Sequence, residues 1–461
     1  MNQYGKKNIN GQNLIPKMAD KKKLLLISPL ASKSFFGGDF YFRMPSLGLL
    51  KVAALTPPEW EVKIIDEKVE ELDLKEQADL VGITAMTPAA NRAYEIADSY
   101  RSRGIKVIMG GMHVSNLPNE AHQHCDSVLI GEAETLWERA LEDFNNGGLK
   151  KLYKHSNGYP SLEKIPLPNW DLYKEKKYLP VHFIETTRGC PFGCEFCSVT
   201  NSFGGRYRNR PASEVEKEVQ SLKPFDGRFI LKNVVFFVDD NIISSKKHAK
   251  NLLERIKHYN IKWLGQASMN IANNDEILSL CRKSGCMGIL IGFETLSSDG
   301  LINAAKTFNK PDKYIDVVKK LHDYGIGVDG AFVLGLDEDD EGVFDRTLEF
   351  IHKAKIDACN FSILTPYPGT NLAKKLTAQG RIIDHDWSNY NTNNVVFMPK
   401  LMPPEKLLQG YYYVLKECFS YRSIIRRLWG NGTYKSFFYG MNFGFNQTVK
   451  KTLKRKPWEI P

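Results

Sequence analysis

The chain has 461 residues, 42% of them hydrophobic and 25% charged, which is the balance of a globular protein and excludes a disordered or collagen-like one. No apolar run approaches the ~20 residues that span a bilayer, and the first lysines are not followed by a secretory signal, so we expect a cytoplasmic protein. The net charge of +10 gathers in residues 1–23 and 421–461, which argues against a nucleic-acid groove in the body of the protein.

Residues 24–145, which follow a basic N-terminal tail (1–23), alternate short apolar runs with helical stretches. This pattern predicts a parallel sheet covered on both faces, the arrangement of a doubly wound, Rossmann-like α/β domain. Ligands of such sheets bind beyond the carboxyl ends of the strands, although glycines after strands are also ordinary turn residues. The predicted strands lie at residues 24–27, 62–65, 80–84, 105–109 and 127–130.

Residues 146–180 are rich in proline and charged residues and predict a linker. The six strand-helix units that follow span about 185 residues, which is short of the eight units and ~250 residues of a complete barrel. We therefore expect a partial (β/α)6 barrel over residues 181–370 and an α-rich C-terminal extension, 371–461, that is basic and aromatic. The six strands are predicted near residues 181–187, 233–238, 262–268, 287–293, 326–333 and 358–364.

Three of the eight cysteines, Cys190, Cys194 and Cys197, lie within eight positions directly after the first predicted barrel strand. Thiolates this close repel one another unless a cation binds them, and soft sulfur ligands select iron-sulfur clusters or zinc. Structural zinc normally takes four protein ligands, whereas three cysteines on a cluster leave one iron open for a small molecule. Zinc or a chance grouping of cysteines remains the alternative.

The arrangement Cys190-x3-Cys194-Glu195-Phe196-Cys197 resembles the signature of radical S-adenosylmethionine enzymes. The resemblance implies a [4Fe-4S] cluster whose open iron binds the amino and carboxylate groups of S-adenosylmethionine. It also implies a partial six-unit barrel, reductive cleavage to methionine and a 5'-deoxyadenosyl radical, and a reducing partner such as flavodoxin or ferredoxin.

Other barrel positions resemble the rest of the S-adenosylmethionine site. Residues 239–241 end the second strand, where family members hold the methionine amino group, although the usual Gly-Gly-Glu form is absent and a helix cap is the alternative. Glu294 resembles a position near the ribose or methionine, and ordinary polar strand ends are the alternative for the others. The expected contacts are Phe196, Asp239, Asp240, Asn241, Ser268, Asn270, Glu294 and Thr365.

The N-terminal sheet resembles the cobalamin-binding domain that precedes the barrel in one branch of this superfamily. Residues 45–50, 82–87, 110–114 and 130–134 carry the resemblance. The Asp-x-His-x-x-Gly motif that supplies a cobalt ligand in better-known cobalamin proteins is absent from residues 28–34, so either the cobalt lacks a protein imidazole or this domain has lost cobalamin. His113 is expected to be a turn residue rather than an axial ligand. The expected contacts with cobalamin are Ser28, Thr84, Gly110, Gly111, His113, Gly131 and Glu132.

This branch includes hopanoid methylases and the anaerobic Mg-protoporphyrin ester cyclase. The resemblance implies methyl transfer to an unactivated carbon of a hydrophobic small molecule or lipid: the deoxyadenosyl radical abstracts hydrogen, and methylcobalamin supplies the methyl group. Oxidation, cyclisation or rearrangement without methyl transfer is one alternative, and a non-catalytic sensor or electron-transfer protein is another.

The C-terminal segment mixes aromatic and basic residues. This composition suits peripheral association with an anionic membrane surface or the access of an apolar substrate, and a solvated basic tail with an aromatic core patch is the alternative.

Overall fold

The computed structural model describes residues 21–31, 43–156, 158–223, 233–430 and 432–454. Three segments of the sequence analysis lie wholly or partly outside these ranges. They are residues 1–20 of the basic N-terminal tail, residues 32–34 of the stretch that lacks the cobalt-ligand motif, and the basic residues Arg455 and Lys456.

The first domain is a six-stranded parallel sheet with strand order β2-β1-β3-β4-β5-β6. Alternate residues of β1 point to opposite faces, so that Leu24 and Leu26 join one apolar cluster and Leu25 and Ile27 join the other. Helices α1 and α5 cover the first face, and α2 covers the second. The doubly wound architecture is therefore confirmed. Its elements are β1 (Lys22–Ser28), α1 (Leu47–Ala54), β2 (Trp60–Asp66), β3 (Leu80–Thr84), α2 (Ala90–Ser102), β4 (Lys106–Gly110), α3 (Met112–Asn116), α4 (Pro118–Ala121), β5 (Ser127–Ile130), α5 (Leu136–Asn145) and β6 (Leu152–Lys154).

The sheet extends beyond residue 145. Strand β6 pairs parallel to β5 although it lies within the segment whose composition predicts a linker. Only Tyr153 of its three residues is buried, so the strand lacks the continuous apolar run that marks the other five.

The second domain is a six-stranded parallel sheet with strand order β14-β13-β12-β11-β10-β7, which confirms the partial (β/α)6 barrel. A short antiparallel pair, β8 and β9, follows the first strand. The elements are β7 (His182–Ile184), β8 (Thr187–Arg188), α6 (Ser198–Ser202), β9 (Arg208–Asn209), α7 (Ala212–Ser221), β10 (Val234–Phe237), α8 (Lys246–Ile256), β11 (Lys262–Gln266), α9 (Asp275–Lys283), β12 (Cys286–Glu294), α10 (Ser298–Asn303), α11 (Tyr314–Asp323), β13 (Gly327–Leu334), α12 (Val343–Ala354), β14 (Ala358–Ile363) and α13 (Asn371–Ala378).

Three further helices follow the barrel: α14 (Pro404–Cys418), α15 (Tyr421–Leu428) and α16 (Lys435–Leu453). Helix α14 packs beside α12, with Leu407 against Gly335 after β13, whereas α15 and α16 lie at the amino-terminal end of the barrel. Phe438 of α16 is buried against Gly288 and Gly327, near the starts of β12 and β13. Arg427 of α15 is fully buried, and its guanidinium donates to the carbonyl of Ile356, just before β14, at 2.6 Å. Part of the aromatic segment is therefore core. No helix among the described residues is both long and apolar enough to cross a bilayer.

Candidate functional site

The loop that carries the three cysteines depends on the glycine that begins it. Gly189 follows β8 with a φ of +87°, and a Cβ there would overlap the carbonyl oxygen of Arg206, so only glycine fits. The loop then runs from Cys190 to Cys197, whose N–H donates to the carbonyl of Cys194 at 3.1 Å. Helix α6 begins directly afterwards. The backbone thus places all three thiols at the carboxyl end of the barrel.

All three cysteines are free, half-buried thiols. Burial raises the pKa of each, and the neighbouring thiols add to this for Cys190 and for Cys194, whose pKa rises to about 11. Within the described ranges, no three His, Cys, Asp or Glu side chains converge closely enough to chelate one ion. Three soft thiol donors on one loop are a donor set that fits an iron-sulfur cluster with three protein ligands.

Asp239, at the end of β10, ties this strand to the start of the cysteine loop. Its buried carboxylate accepts hydrogen bonds from the N–H of Thr186 at 2.7 Å, the N–H of Thr187 at 2.6 Å and the hydroxyl of Thr186 at 2.6 Å. Burial raises the pKa of Asp239 to about 7, although these hydrogen bonds lower it. The hydroxyl of Ser245 caps helix α8, so Asp239 and its neighbours are not the cap of that helix.

The side chain of Asp240 contacts the start of the cysteine loop, and that of Asn241 contacts the residue that follows β11 and Ala267. A carboxylate oxygen of Asp240 accepts a hydrogen bond from the N–H of Gly189 at 3.2 Å. Burial raises the pKa of Asp240 to about 6, and its charge contributes to the raised pKa of Cys190, so it faces the cysteine loop. The side-chain oxygen of Asn241 accepts from the N–H of Ser268 at 3.3 Å, which links the ends of β10 and β11.

Glu294 ends β12 in an unusual backbone conformation, with a φ of +65°, where the pairing with β13 shifts register. Its side chain forms an ion pair with Lys306. The pair packs over Gly292, where a Cβ would lie 2.7 Å from Nζ of Lys306. A positive φ in a non-glycine residue is strained, and such strain concentrates at functional sites.

Lys306 was not among the residues that the sequence predicts. Burial lowers its pKa, but the carboxylate of Glu294 and the thiols of Cys194 and Cys197 outweigh this and raise the pKa above its ordinary value. The lysine therefore stays charged between an acid and the cysteine loop. Its position after α10 carries no recognisable motif, so only the folded chain identifies it.

Four further residues were expected to contact S-adenosylmethionine. Ser268 and Asn270 are half-buried. Ser268 precedes the short turn of helix that follows β11, and Asn270 lies within that turn. Thr365 is buried, and its hydroxyl donates to the carbonyl of Ile363 at 3.0 Å. Phe196 packs against the barrel core. All four lie on the carboxyl side of the strands, and their contacts with a ligand stay predictions.

A cavity of about 350 Å³ lies between the carboxyl edge of the first sheet and the barrel. It contains the turns at which the sequence predicts a ligand. Of the seven residues expected to contact cobalamin, the lining includes Thr84, Gly110, Gly111, Gly131 and Glu132. The barrel contributes Glu185, Arg188, Phe203 and Val238.

Glycines shape this cavity. Gly111 has a φ of +101°, and a Cβ there would lie 2.7 Å from the carbonyl oxygen of Ala85. Gly131 has a φ of +86°, and a Cβ there would meet nothing within 4 Å. At Gly111 the missing side chain admits the backbone of Ala85, and at Gly131 it leaves open space for the close approach of a large ligand, so the lining fits a corrinoid.

His113 and Ser28, the other two expected contacts, are not in the cavity lining. His113 is fully buried, and its Nε2 lies 3.1 Å from the hydroxyl of Tyr94 and 3.3 Å from a carboxylate oxygen of Glu120. The indole N–H of Trp387 donates to the same oxygen at 2.9 Å. Burial lowers the pKa of His113. The ring thus belongs to a contact between the first domain and the C-terminal extension.

Six charged side chains form a network across the domain boundary. Arg188, two residues before Cys190, binds Glu132 and Glu134 of the first domain as well as Glu185. Arg208 of β9 also binds Glu132, and Lys51 of α1 binds Glu185. Three positive charges therefore face three negative ones beside the cavity. The sequence indicates only Glu132 among these residues, because the pairs join positions far apart in the chain.

Three family descriptions match the chain. They are the Radical SAM superfamily over residues 184–372, the B12 binding domain over residues 34–141 and a domain of unknown function (DUF4070) over residues 370–434.

Solved structures share this fold. The radical S-adenosylmethionine methyltransferase TsrM from Kitasatospora setae, with cobalamin and a [4Fe-4S] cluster bound, aligns with a TM-score of 0.66 and 15% identity over 94% of this chain and 100% of that one. The cobalamin-dependent S-adenosylmethionine radical enzyme OxsB, with aqua-cobalamin and S-adenosylmethionine bound, aligns with a TM-score of 0.65 and 14% identity over 95% and 80%.

Among characterised relatives, the bacteriochlorophyllide d C-12(1)-methyltransferase of Chlorobaculum tepidum is 33% identical over 95% of this chain and 96% of its own length. The C-8(2)-methyltransferase of that organism is 31% identical over 83% and 86%. The hopanoid C-2 methylase of Rhodopseudomonas palustris is 25% identical over 87% and 81%. The chain belongs to the cobalamin-dependent radical S-adenosylmethionine methyltransferases, enzymes that use a [4Fe-4S] cluster, S-adenosylmethionine and cobalamin.

Proposed function

We propose that the chain transfers a methyl group to an unactivated carbon of a hydrophobic small molecule. The observation that carries this proposal is the position of Arg188, which lines the interdomain cavity and lies two residues before Cys190. The cavity and the cysteine loop are thereby joined by one short stretch of chain. Methyl transfer by this family's cofactors requires the two sites to be held beside each other.

Separate groups of residues would bind the three cofactors. Cys190, Cys194 and Cys197 would hold the cluster, and together the bound cofactors supply hydrogen-atom abstraction and a methyl donor. The oppositely charged Glu294 and Lys306 suit the zwitterionic end of S-adenosylmethionine, since each can pair with one of its charges. The corrinoid would lie against Thr84, Gly110, Gly111 and Gly131.

Two further sets of residues would keep this arrangement in place. Asp239 accepts three hydrogen bonds from the two threonines that precede the cysteine loop, and so fixes where the loop begins. Arg188 and its three glutamate partners fix the first domain against the barrel. We assign both sets a positioning role rather than contact with the reacting atoms.

The substrate class follows from the relatives. Two of them act on bacteriochlorophyllide d, and they share more identity with the chain than the hopanoid methylase does. We therefore propose a tetrapyrrole first and a polycyclic lipid second. A one-electron donor such as flavodoxin or ferredoxin would serve as the reducing partner in the cytoplasm.

The test is anaerobic reconstitution with iron, sulfide and hydroxocobalamin, followed by absorbance spectra and by reaction of a tetrapyrrole with trideuteromethyl-labelled S-adenosylmethionine and reduced flavodoxin as the one-electron donor. We expect iron-sulfur and corrinoid bands, 5'-deoxyadenosine, and a substrate that gains one labelled methyl group. Cys194→Ala should abolish the cluster and 5'-deoxyadenosine together, whereas Cys125→Ala, which removes a buried cysteine of the first domain, should keep both.

Each alternative function predicts a different outcome of this experiment. A product without the label would indicate oxidation or cyclisation, as performed by the anaerobic magnesium-protoporphyrin IX monomethyl ester cyclase of Cereibacter sphaeroides, which is 24% identical over 77% of this chain. Uptake of both cofactors without 5'-deoxyadenosine would indicate a binding protein.

A further inference from the structure

Helices α15 and α16 expose an aromatic surface that the fold leaves uncovered. Helix α15 buries Ile424 and Leu428, while Tyr421 and Ile425, beside this buried stripe, are each 48% exposed. Trp429, directly after the helix, is 73% exposed. An indole this exposed removes little apolar area from water in the isolated protein, so it points to a contact with something else.

The surface continues onto α16. The ring of Phe443, 38% exposed, lies 5.8 Å from that of Tyr421, and Nζ of Lys450 lies 4.3 Å from the centre of the Tyr421 ring. The two helices therefore present one continuous surface, which we call the α15–α16 face. It comprises Tyr421, Ile425, Trp429 and Phe443, and the exposed basic residues beside them.

The charged side chains of α15 and α16 are all basic. No Asp or Glu occurs between residues 420 and 454. Arg427 is buried and donates its hydrogen bonds to carbonyl groups and Asn442, so it does not contribute to the face. The exposed basic residues are Arg422, Arg426, Lys435, Lys450, Lys451 and Lys454.

We propose that the α15–α16 face docks the protein on an anionic lipid bilayer. Trp and Tyr suit the boundary between headgroups and acyl chains, because one end of each ring system is apolar and the other is polar. Arg and Lys beside them gain attraction to anionic headgroups. A second copy of the chain fits less well, since a symmetric contact would place positive charge against positive charge. Nucleic acid fits less well because the apolar Ile425 lies among the basic residues.

Docking by this face would leave the candidate site accessible. The face belongs to helices that pack at the starts of β12, β13 and β14, whereas the cysteine loop lies at the opposite end of the strands. It is therefore an anchor and not the route by which a substrate reaches the cavity. This proposal stands independently of methyl transfer, because it concerns residues outside the site.

The experiment is cosedimentation of the full chain with vesicles of phosphatidylcholine alone or mixed with phosphatidylglycerol. We expect binding only to the mixed vesicles, and weaker binding in high salt. Arg422→Glu with Arg426→Glu should weaken it by roughly 30-fold or more, since each basic residue near the surface contributes about 1 kcal/mol. Ile425→Ser and Trp429→Ala should each weaken it by about tenfold.

The matched controls are Lys246→Glu with Lys247→Glu, two exposed lysines at the start of α8, and Leu401→Ser, an exposed leucine outside the face. Both controls should bind like the unmodified protein. Equal binding by the face variants and the controls overturns the proposal. So does a dimer, or RNA binding, that the face variants abolish, because either outcome assigns the face to another partner.

Discussion

Arg188 of the barrel donates two hydrogen bonds to Glu134 of the first domain, from Nη2 to Oε1 at 2.9 Å and from Nη1 to Oε2 at 3.2 Å. Both side chains are about nine-tenths buried. Because Arg188 also lies two residues before Cys190, this contact connects the wall of the interdomain cavity to the cysteine loop. A bidentate arginine–carboxylate pair fixes orientation as well as distance.

Glu134→Gln should loosen this connection. The variant keeps the size of the side chain but removes one counter-charge of a buried guanidinium, and we expect a loss of about 1.5–3 kcal/mol in the free energy of unfolding. Corrinoid retained after gel filtration should also decrease, while iron content stays unchanged. Denaturant unfolding and absorbance measure the two effects. Glu138→Gln, an exposed glutamate on α5, is the control, and an equal loss in both variants would contradict the prediction.

Lys306→Met should weaken the binding of S-adenosylmethionine. The substitution removes the cation that would pair with the carboxylate of S-adenosylmethionine, and the loss of one charge-assisted hydrogen bond corresponds to about tenfold or more in affinity. Equilibrium dialysis of the reconstituted protein against S-adenosylmethionine measures this. Lys306→Arg should recover part of the affinity, and Lys310→Met, at an exposed position of the same loop, should have no effect. Unchanged binding by Lys306→Met would remove Lys306 from the site.

Gly111→Ala should distort the cavity edge, whereas Gly110→Ala should be tolerated. Alanine at position 111 would adopt a φ of +101° with its Cβ 2.7 Å from the carbonyl oxygen of Ala85, while a Cβ at position 110 would meet its neighbours at 3.7 and 3.8 Å. We expect Gly111→Ala to destabilise the protein by about 1–3 kcal/mol and to lower corrinoid uptake. Thermal unfolding compares the two variants, and an equal loss of stability in both would refute the steric argument, while absorbance measures corrinoid uptake by Gly111→Ala.

Asp339 should make the stability of the protein fall as pH rises. Burial raises its pKa to about 6, although the N–H groups of Gly335 and Leu336 donate to its carboxylate at 2.9 and 3.0 Å. Between pH 4 and 6 the carboxyl group of Asp339 therefore keeps its proton in the folded chain but has lost it in the unfolded chain. As the pH rises through this range, the free energy of unfolding falls. The free energy of unfolding should decrease by about 3 kcal/mol over this range relative to Asp339→Asn.

The control for this pH dependence is Asp340→Asn. Asp340 is exposed, and a hydrogen bond from Arg346 lowers its pKa. Replacing Asp340 should therefore leave the decrease between pH 4 and 6 in place. A parallel pH profile of the unmodified protein and Asp339→Asn would show that Asp339 ionises normally.

Much of the fold could be predicted because the signals are local. Each apolar run of the two sheets marks a buried strand, and its length and spacing are properties of a short stretch of chain. The cysteine spacing is equally local, so the loop from Cys190 to Cys197 could be recognised without the structure. Strand β6 was missed because only Tyr153 of its three residues is buried.

The site as a whole could not be predicted, because its geometry depends on distant pairs. His113 follows a strand of the first sheet as expected, but tertiary packing turns its ring toward Glu120 and Trp387 and away from the cavity lining. Lys306 has no motif, and its relation to Glu294 exists only after β12 and the following loop have folded together.

The amino-acid sequence by itself determined the two-domain α/β plan and the spacing of the three cysteines, since hydrophobic periodicity and short-range spacing act within a few residues. Only the tertiary structure decided which charges meet. Lys51 and Glu185 are 134 positions apart and Arg188 and Glu134 are 54 apart, yet they pair at the boundary between the domains. Folding removes both side chains of such a pair from water at the same time. Because a buried charge requires a partner of opposite sign, the tertiary structure decides which pairs form.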